Sequence, residues 1–349
     1  MNGPGRSNPA VRRSASKSCC RPLAFLAAIA FLVFSASAAC QVLVVLSDGA
    51  AGYEAVAGEL RAGLKPLRDG RVRVDSISAA RLASVDEPAF VAYELVVPVG
   101  LSAAQAVLSR EQASPTPPPT LCLLIPRQSF ERLAPASDER ARRVSALFID
   151  QPLSRQLDLL RAALPERRRV GVILGPSSQE LKGKLAAQAR SRELTLKFAR
   201  VGESSGVYAA LQSVMPDSDL LLLVPDPIAT NADTVYGLLL TSYRAQIPVV
   251  GYSEGLLNAG ALVSLFSTAK QQGRQGAEIA SRILAHETLP APQHPKYFTV
   301  RVNASVARSL GLHLPTEASL YSALDVGADK ADENPVRDRN NDETPGDRP

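Results

Sequence analysis

Apolar and polar positions alternate in blocks along this chain of 349 residues. Short runs that are apolar at every position recur between longer segments whose apolar residues follow the helical period. This order predicts strand–helix units, and hence parallel strands covered by helices on both faces. The predicted strands are 42–46, 72–77, 95–99, 121–125, 144–149, 170–174, 194–198, 220–224 and 249–250. The predicted helices are 51–66, 102–110, 152–163, 178–192, 205–214 and 232–244.

So many strands exceed what one small sheet holds, so the pattern predicts an α/β protein with two doubly wound parallel-sheet lobes joined by hinge strands. Two places fit the break between the lobes, the proline-rich loop 115–119 and the crossing at 148–152. The segment 325–349 holds eight acidic and four basic residues and no aromatic residue, which predicts a disordered acidic tail. The predicted N-terminal lobe is 40–150 plus 266–290, and the predicted C-terminal lobe is 151–265 plus 296–324.

Residues 1–39 have the pattern of a signal peptide. They contain five basic residues and no acidic residue, then an apolar run, then the small residues "SASAA" before Cys40. The apolar run is shorter than the roughly 20 residues that a membrane span needs, although a retained N-terminal anchor is the alternative. Without this segment the chain has 34 basic and 34 acidic residues, so its charge gives no reason to expect nucleic-acid binding.

Cys40 stands where a bacterial lipoprotein carries its acylated cysteine, which predicts lipidation of Cys40. The alternative is ordinary cleavage after Ala38 or Ala39, which would release a soluble protein. Both alternatives predict a periplasmic protein. Cys122 lies within the apolar stretch "LCLLI" and is expected to be a buried hydrophobic residue rather than half of a disulfide.

The sequence offers little for catalysis. His286, His294 and His313 have no partners at metal-ligand spacing, so we expect no metal and no cofactor. Gly183-Lys184 superficially resembles a phosphate-binding loop, but the spacing is wrong and no hydroxyl residue follows. Ser102 follows a strand and begins a helix, as a hydrolase nucleophile does, yet the second glycine of that motif is absent. A Ser102 hydrolase is therefore the third-ranked function.

Small polar and aromatic residues gather where predicted strands end. In parallel α/β sheets, ligands bind outside the carboxyl ends of the strands, where loops and helix N-termini converge. Serine and aspartate at such positions also cap helices, which is the structural alternative for each. Asp226 and Glu254 could pair between lobes or hold a ligand amine. The candidate ligand-binding residues are Ser47, Asp48, Gly49, Tyr53, Gly100, Ser102, Arg127, Gln128, Asp226, Tyr252 and Glu254.

The second half of the chain resembles the substrate-binding proteins of ABC transporters that have the periplasmic binding protein type 1 fold. The resemblance spans about residues 144–315 and rests on an ordered series of stretches, whereas the first half fits more loosely. The stretches are "QLDLLRAALPERRRVGVILGPSS", "SDLLLLVPD", "IPVVGYSEGLLNAGALVSL", "GRQGAEIASRILAHETLPAPQ" and "VNASVARSLGLHLP".

The resemblance implies an extracytoplasmic protein that captures a small solute, amino-acid-like or an organic anion, between its lobes by hinge closure. Its partners would be that solute and an ABC permease in the inner membrane. One departure from the family is the absence of a glycine-rich turn after the fourth strand, where Arg127, Arg132 and Arg140 appear instead. This departure suggests either an acidic ligand or the alternative function, a non-transport envelope lipoprotein with a sensory or assembly role.

Overall fold

The computed structural model of the protein describes residues 41–134 and 138–331. The predicted signal peptide, Cys40 and residues 332–349 of the predicted tail lie outside these residues. Within them, strands and helices alternate and build two sheets. Both sheets lie in one compact unit of the chain.

The first sheet has five strands in the order β2-β1-β3-β4-β5, and all neighbouring strands run parallel. The inner strands are buried along their length because helices cover both faces, which explains their continuous apolar sequences. The strands are β1 (Gln41–Leu46), β2 (Arg73–Ser78), β3 (Leu95–Val99), β4 (Thr120–Ile125) and β5 (Val144–Phe148).

The second sheet has six strands in the order β11-β10-β9-β8-β6-β7. Its pairs are parallel except that β11 runs antiparallel to β10 at the edge. The strands are β6 (Arg169–Leu174), β7 (Thr195–Arg200), β8 (Leu220–Leu222), β9 (Val249–Gly251), β10 (Val263–Phe266) and β11 (Thr299–Val302).

Helices cover both faces of each sheet and complete the two cores. Short 3-10 turns occupy Leu67–Gly70, Ala79–Ser84, Ser204–Gly206 and Met215–Asp217. The helices are α1 (Ala51–Leu64), α2 (Glu87–Val91), α3 (Leu101–Ala113), α4 (Arg127–Leu133), α5 (Asp138–Ala141), α6 (Leu153–Ala163), α7 (Leu181–Arg190), α8 (Val207–Val214), α9 (Ala232–Arg244), α10 (Glu254–Ala259), α11 (Ala269–Leu284), α12 (Ala304–Ser309) and α13 (Glu317–Ala331).

Helix α11 follows a strand of the second sheet but packs on the first. Its residues Ala280 and Ile283 belong to the same buried cluster as β1 and α1. The close approach depends on glycine, because a Cβ at Gly273 would lie 2.6 Å from the Cβ of Glu59 on α1. At Gly276 a Cβ would lie 2.6 Å from the Leu123 side chain. The chain therefore crosses between the sheets more than once.

Three crossing segments connect the lobes, namely 149–152, 267–268 and 285–298. Loop 115–119 joins α3 to β4 within the first sheet, whereas the chain passes from the first sheet to the second at 149–152. The exact division of the chain into lobes stays a prediction.

Each predicted strand and helix is present, with shifted ends, but several short elements were not predicted. Strands β10 and β11 have four residues each, which is too short for periodicity to separate strand from loop. Helix α13 continues to Ala331, so the tail predicted to be disordered from Asp325 is wrong for residues 325–331. Leu320 and Leu324 are buried in the second core, and a helix nucleated there extends at little free-energy cost.

Candidate functional site

The carboxyl ends of the parallel strands carry the residues that the sequence predicted as ligand contacts. In the first lobe, Ser47 follows β1, Gly100 follows β3 and Arg127 follows β4. In the second lobe, Asp226 comes after β8 and Tyr252 after β9. Loops and helix starts converge at this edge of a parallel sheet, which is where ligands usually bind.

Ser47, Gly100 and Tyr53 pack together at the edge of the first sheet. The Ser47 hydroxyl donates to the carbonyl of Val99 at 3.0 Å and accepts from the N–H of Ala103 at 3.0 Å. Gly100 has a φ of +91°, and a Cβ there would lie 2.5 Å from Ser47 Oγ and 2.9 Å from the Tyr53 ring. Glycine alone fits both the left-handed backbone and this contact. The Ser47 hydroxyl thus makes its hydrogen bonds within the turn, whereas the Tyr53 ring is half-exposed.

Two helices of the first lobe begin at this edge without a cap from their own N-cap side chain. The N-cap residues of α1 and α3 are Ala50 and Gly100, and neither caps with its side chain. By contrast, N-cap side chains cap α9 and α10 of the second lobe. In α3, Ser47 Oγ accepts from the third N–H, of Ala103, so the first two N–H groups of each helix keep donor capacity, and the helix dipole favours a negative group there. The exposed Asp48 accepts from the Ala50 N–H at 2.7 Å, so a carboxylate stands beside α1.

The same edge exposes apolar surface. Leu101, the first residue of α3, is 38% exposed, and Ile149, directly after β5, is 42% exposed. Gly49 and Ser102 are exposed as well. The Ser102 hydroxyl has no hydrogen-bond partner among the described residues. The edge therefore combines donors, a carboxylate and exposed apolar side chains.

Arg127 and Gln128 begin α4 and are held by different partners. The Arg127 backbone N–H donates to Asp150 Oδ2 at 2.6 Å, and its guanidinium donates to Glu131 of the same helix at 2.7 Å. The Gln128 amide reaches the other lobe, because its Nε2 donates to Glu180 Oε1 at 2.7 Å. Glu180 lies in the turn between β6 and α7. This bond joins the edges of the two sheets.

Asp226 is buried, and both of its carboxylate oxygens are fully used within its own lobe. Oδ2 accepts from the N–H of Ser178 at 3.0 Å and from the hydroxyl of Ser178 at 2.9 Å. Oδ1 accepts from the N–H of Ile228 at 2.9 Å and of Ala229 at 3.0 Å. A Cβ at Gly175 would collide with this carboxylate, so glycine lets the two loops approach. These contacts make Asp226 a clamp between the loops after β6 and β8.

Tyr252 is joined to this clamp through Thr230. Its hydroxyl lies 3.0 Å from Thr230 Oγ1, and Thr230 in turn donates to the backbone around Asp226. Burial raises the pKa of Tyr252, and the negative charges of Asp226 and of Asp150 raise it further. Asp150 belongs to the first crossing segment, so Tyr252 interacts electrostatically with a charge at that crossing. Glu254 is exposed in the first turn of α10.

The crossing segments are bound to one another by buried polar groups. Gln151 Nε2 donates to Ser267 Oγ at 2.8 Å, which joins the first crossing to the second. Arg155 donates to Gln151 Oε1 at 2.8 Å and to the carbonyl of Pro295 at 2.9 Å, which joins the first crossing to the third. Gln272 donates to the carbonyl of Phe148 at 2.9 Å. The connection between the lobes is therefore a network of hydrogen bonds as well as three stretches of chain.

His294 and Asp150 meet within this network. His294 Nδ1 lies 2.9 Å from the Asp150 carbonyl, which can only accept, so Nδ1 carries the proton. Burial lowers the pKa of His294 and raises the pKa of the Asp150 carboxyl. The sequence placed Asp150 at a strand end but did not identify it or His294 as part of the site. Only the pairing of distant crossing segments brings them together.

The comparison with protein families decides the identity of this arrangement. The family of ABC transporter substrate binding proteins matches residues 89–326, which is more than half of the chain. The chain belongs to this family. A comparison with curated proteins finds no match.

Solved structures share the fold of this substrate-binding protein. A conserved domain protein from Vibrio cholerae has a TM-score of 0.57 at 22% identity, over 81% of this chain and 98% of its own. The ligand-free, open structure of CD0873 from Clostridium difficile, a substrate binding protein with adhesive properties, has a TM-score of 0.63 at 17% identity, over 79% and 96%. An ABC domain from Streptococcus pneumonia in complex with L-Trp has a TM-score of 0.55 at 16% identity, over 81% and 97%. These likenesses establish a periplasmic binding protein fold of type 1.

The segment that departs from the family pattern contains the helices α4 and α5. Arg140, one of the three arginines that replace the glycine-rich turn, donates to the carbonyls of Glu111 at 3.0 Å and Gln112 at 2.7 Å. Those carbonyls end α3, at the opposite end from Gly100. Arg132 is exposed in the last turn of α4. Of the three arginines, Arg127 is the one held at the carboxyl-end edge.

Among the described residues, no three His, Cys, Asp or Glu side chains cluster as metal ligands do. None of the described helices combines the length and the hydrophobicity that crossing a bilayer requires.

Proposed function

We propose that this substrate-binding protein captures an amino-acid-like solute between its lobes and presents it to an ABC permease. The observation that carries the proposal is the pair of helix starts at Ala51 and Leu101, whose N-cap residues provide no side-chain cap, beside the exposed carboxylate of Asp48. Together they offer a place for a carboxylate and a place for an ammonium. This combination matches a zwitterion better than a simple organic anion.

The carboxylate of the solute would accept hydrogen bonds at the start of α3. The N–H groups of Leu101 and Ser102 have no partners among the described residues, since the first turn of a helix cannot satisfy them itself. The Tyr53 ring lies beside Gly100 at this helix start. The positive end of the helix dipole adds to the attraction.

The ammonium of the solute would face the carboxylates that surround the same edge. Asp48 supplies one from the first lobe, and Glu254 supplies another from the second. Arg127 is the basic side chain predicted for the site, and its guanidinium is engaged by Glu131. The balance of charge therefore favours a solute that carries a positive group besides its carboxylate.

The remainder of the solute would be apolar, since Leu101 and Ile149 are exposed at this edge. Exposed apolar side chains that gather at a candidate site mark contact surface for a ligand. The Streptococcus relative was solved with L-Trp, which makes aromatic amino acids sensible first probes.

A thermal-shift panel of matched analogues tests the proposal. L-Leucine, L-phenylalanine and L-tryptophan would be compared with the corresponding amines, which lack the carboxylate, and carboxylic acids, which lack the ammonium. We expect the zwitterions to raise the melting temperature, since a ligand at about 100 times its Kd adds about 2.7 kcal/mol of stability. Stabilisation by the acids alone would indicate an organic anion instead. No stabilisation by any of these solutes would contradict the proposal.

Export and anchoring form a further part of this proposal. We propose that residues 1–39 direct export to the periplasm. Cys40 is then either acylated or left unmodified by ordinary cleavage after Ala38 or Ala39. Mass spectrometry of the purified protein separates the two, because diacylglycerol on Cys40 adds a lipid mass. A mature chain that still contains residues 1–39 would contradict both.

The alternative function is a sensory or assembly role in the envelope on the same fold. The loss of the glycine-rich turn and the direct bond between Gln128 and Glu180 favour it, since both reduce the need for a solute in joining the lobes. A protein that shows no response to solutes but binds an envelope partner would support this alternative.

A further inference from the structure

One hydrogen bond links the facing edges of the two sheets directly. Gln128 of α4 donates through Nε2 to Glu180 Oε1 at 2.7 Å, across 52 positions of sequence. Gln128 follows β4 of the first sheet, and Glu180 follows β6 of the second. Neither residue belongs to a crossing segment.

Its position distinguishes this bond from the other polar contacts between the lobes. The bonds of Gln151, Arg155 and His294 lie on the crossing segments, where the chain itself holds the lobes together. The loop after β4 is held at its end, because the Arg127 N–H donates to Asp150 of the first crossing. Gln128 and Glu180 meet beyond that point, and their separation changes when a hinge opens. A bond between them is therefore made in the closed arrangement and lost in an open one.

We propose that the Gln128–Glu180 hydrogen bond is a latch that stabilises the closed form without solute and thereby sets the affinity for solute. The proposal rests on the hinge closure of the proposed function. It requires no contact between these two residues and the solute. Gln128 and Glu180 thus act as positioning residues that hold the two edges together.

The expected strength of the latch follows from its exposure. Glu180 is exposed and Gln128 is half-buried, so water competes for both groups. A hydrogen bond of this kind shifts an equilibrium by a factor of about five. Because the apparent affinity scales with the closed fraction, losing the latch weakens solute binding by up to about fivefold. The change should appear mainly as faster dissociation.

A charge swap tests the latch in the absence of solute. Gln128→Glu places two carboxylates against each other and should open the protein, which small-angle X-ray scattering detects as a larger radius of gyration. Combining it with Glu180→Gln rebuilds the same amide–carboxylate bond in reverse, and should restore the wild-type radius. High salt should also partly restore the single variant, because it screens the repulsion.

Glu131→Gln is the matched control. Glu131 lies on the same helix as Gln128 but pairs with Arg127 of that helix, so its substitution should leave the radius unchanged. All these positions are exposed or half-buried, and their melting temperatures should show that every variant is folded.

The latch is overturned if Gln128→Glu keeps the wild-type radius, or if the swapped double variant stays as open as the single variant. These measurements use no solute, so they separate the latch from the proposed function. If the radius rises in Gln128→Glu and is restored in the double variant, but no solute gives a response, the latch is supported and solute capture is contradicted. If solutes give a response but the radius is the same in all variants, solute capture is supported and the latch is contradicted.

Discussion

Glu111 shows how a single buried side chain couples this fold to pH. It lies at the end of α3 and accepts a hydrogen bond from the hydroxyl of Thr120. Burial raises the pKa of Glu111 to about 7, against the smaller opposing effects of Thr120 and the Arg140 charge. The folded protein therefore keeps this carboxyl protonated at a pH where the unfolded chain has released the proton.

The sign of the resulting pH dependence follows directly. The stabilisation by protonated Glu111 is complete below the pKa of the unfolded chain, 4.5, and is lost as the pH rises through about 7. The free energy of unfolding should fall by about 3 kcal/mol over this range from this residue alone. Glu111→Gln keeps a neutral side chain of similar size and should remove this part of the slope. Urea unfolding at about pH 5 and about pH 8 measures it, with the exposed Glu166→Gln as control. If the free energy of unfolding falls equally with pH in the wild type and in Glu111→Gln, Glu111 is not the source of this pH dependence.

Gly100 is the second residue whose substitution is informative. Alanine there must adopt a φ of +91° and place its Cβ against Ser47 and Tyr53. We expect Gly100→Ala to lower the free energy of unfolding by roughly 2–5 kcal/mol and to weaken solute binding, because Tyr53 must move. Gly58→Ala is the control, since open space surrounds a Cβ on that face of α1. It should stabilise by about 0.5–1 kcal/mol. Thermal unfolding measures both variants. Equal melting temperatures for Gly100→Ala and Gly58→Ala would contradict a special requirement for glycine at position 100.

The sequence identified Gly100 as a glycine at a strand end but not its partners. Strand, turn and helix follow from local pattern, whereas the contact with Tyr53 depends on β1 and β3 being neighbours in the sheet. The same limit applies to Asp226, which the sequence offered as a ligand contact. Its four hydrogen bonds to two separate loops can be recognised only once β6 and β8 lie side by side.

At the scale of elements, Asp226 tests whether the loops after β6 and β8 are clamped. Asn at this position keeps one acceptor oxygen and turns its NH₂ towards groups that donate, so the clamp loses about half of its bonds. We expect Asp226→Asn to lower the free energy of unfolding by roughly 2–4 kcal/mol. Asp233→Asn, in the exposed first turn of α9, should change it by less than about 1 kcal/mol. Chemical unfolding measures both. A stable Asp226→Asn variant that fails to bind solute would instead support the predicted ligand contact.

Long elements were predictable and short ones were not. The continuous apolar runs of β1, β3 and β6 are unambiguous because both faces of a parallel sheet are buried. Helix α4 was missed because "RQSFERL" contributes one fully buried side chain, Phe130, and so has little periodicity. Elements fixed mainly by tertiary contact leave a weak pattern in sequence.

For the whole molecule, the order of elements predicted the two-lobe architecture, and the resemblance of the second half predicted the family. The sequence could not reveal how the lobes are fastened, because the fastening pairs residues from distant segments. Gln151 with Ser267 and His294 with Asp150 are examples, each more than a hundred positions apart. The latch between Gln128 and Glu180 is of the same kind.

Solute capture requires that a solute joins the two lobes. Small-angle X-ray scattering with and without a saturating solute from the thermal-shift panel measures this closure. We expect the solute to give a smaller radius of gyration together with a higher melting temperature. A solute that raises the melting temperature while the radius of gyration stays unchanged, both in the wild type and in the opened Gln128→Glu variant, would contradict closure around the solute.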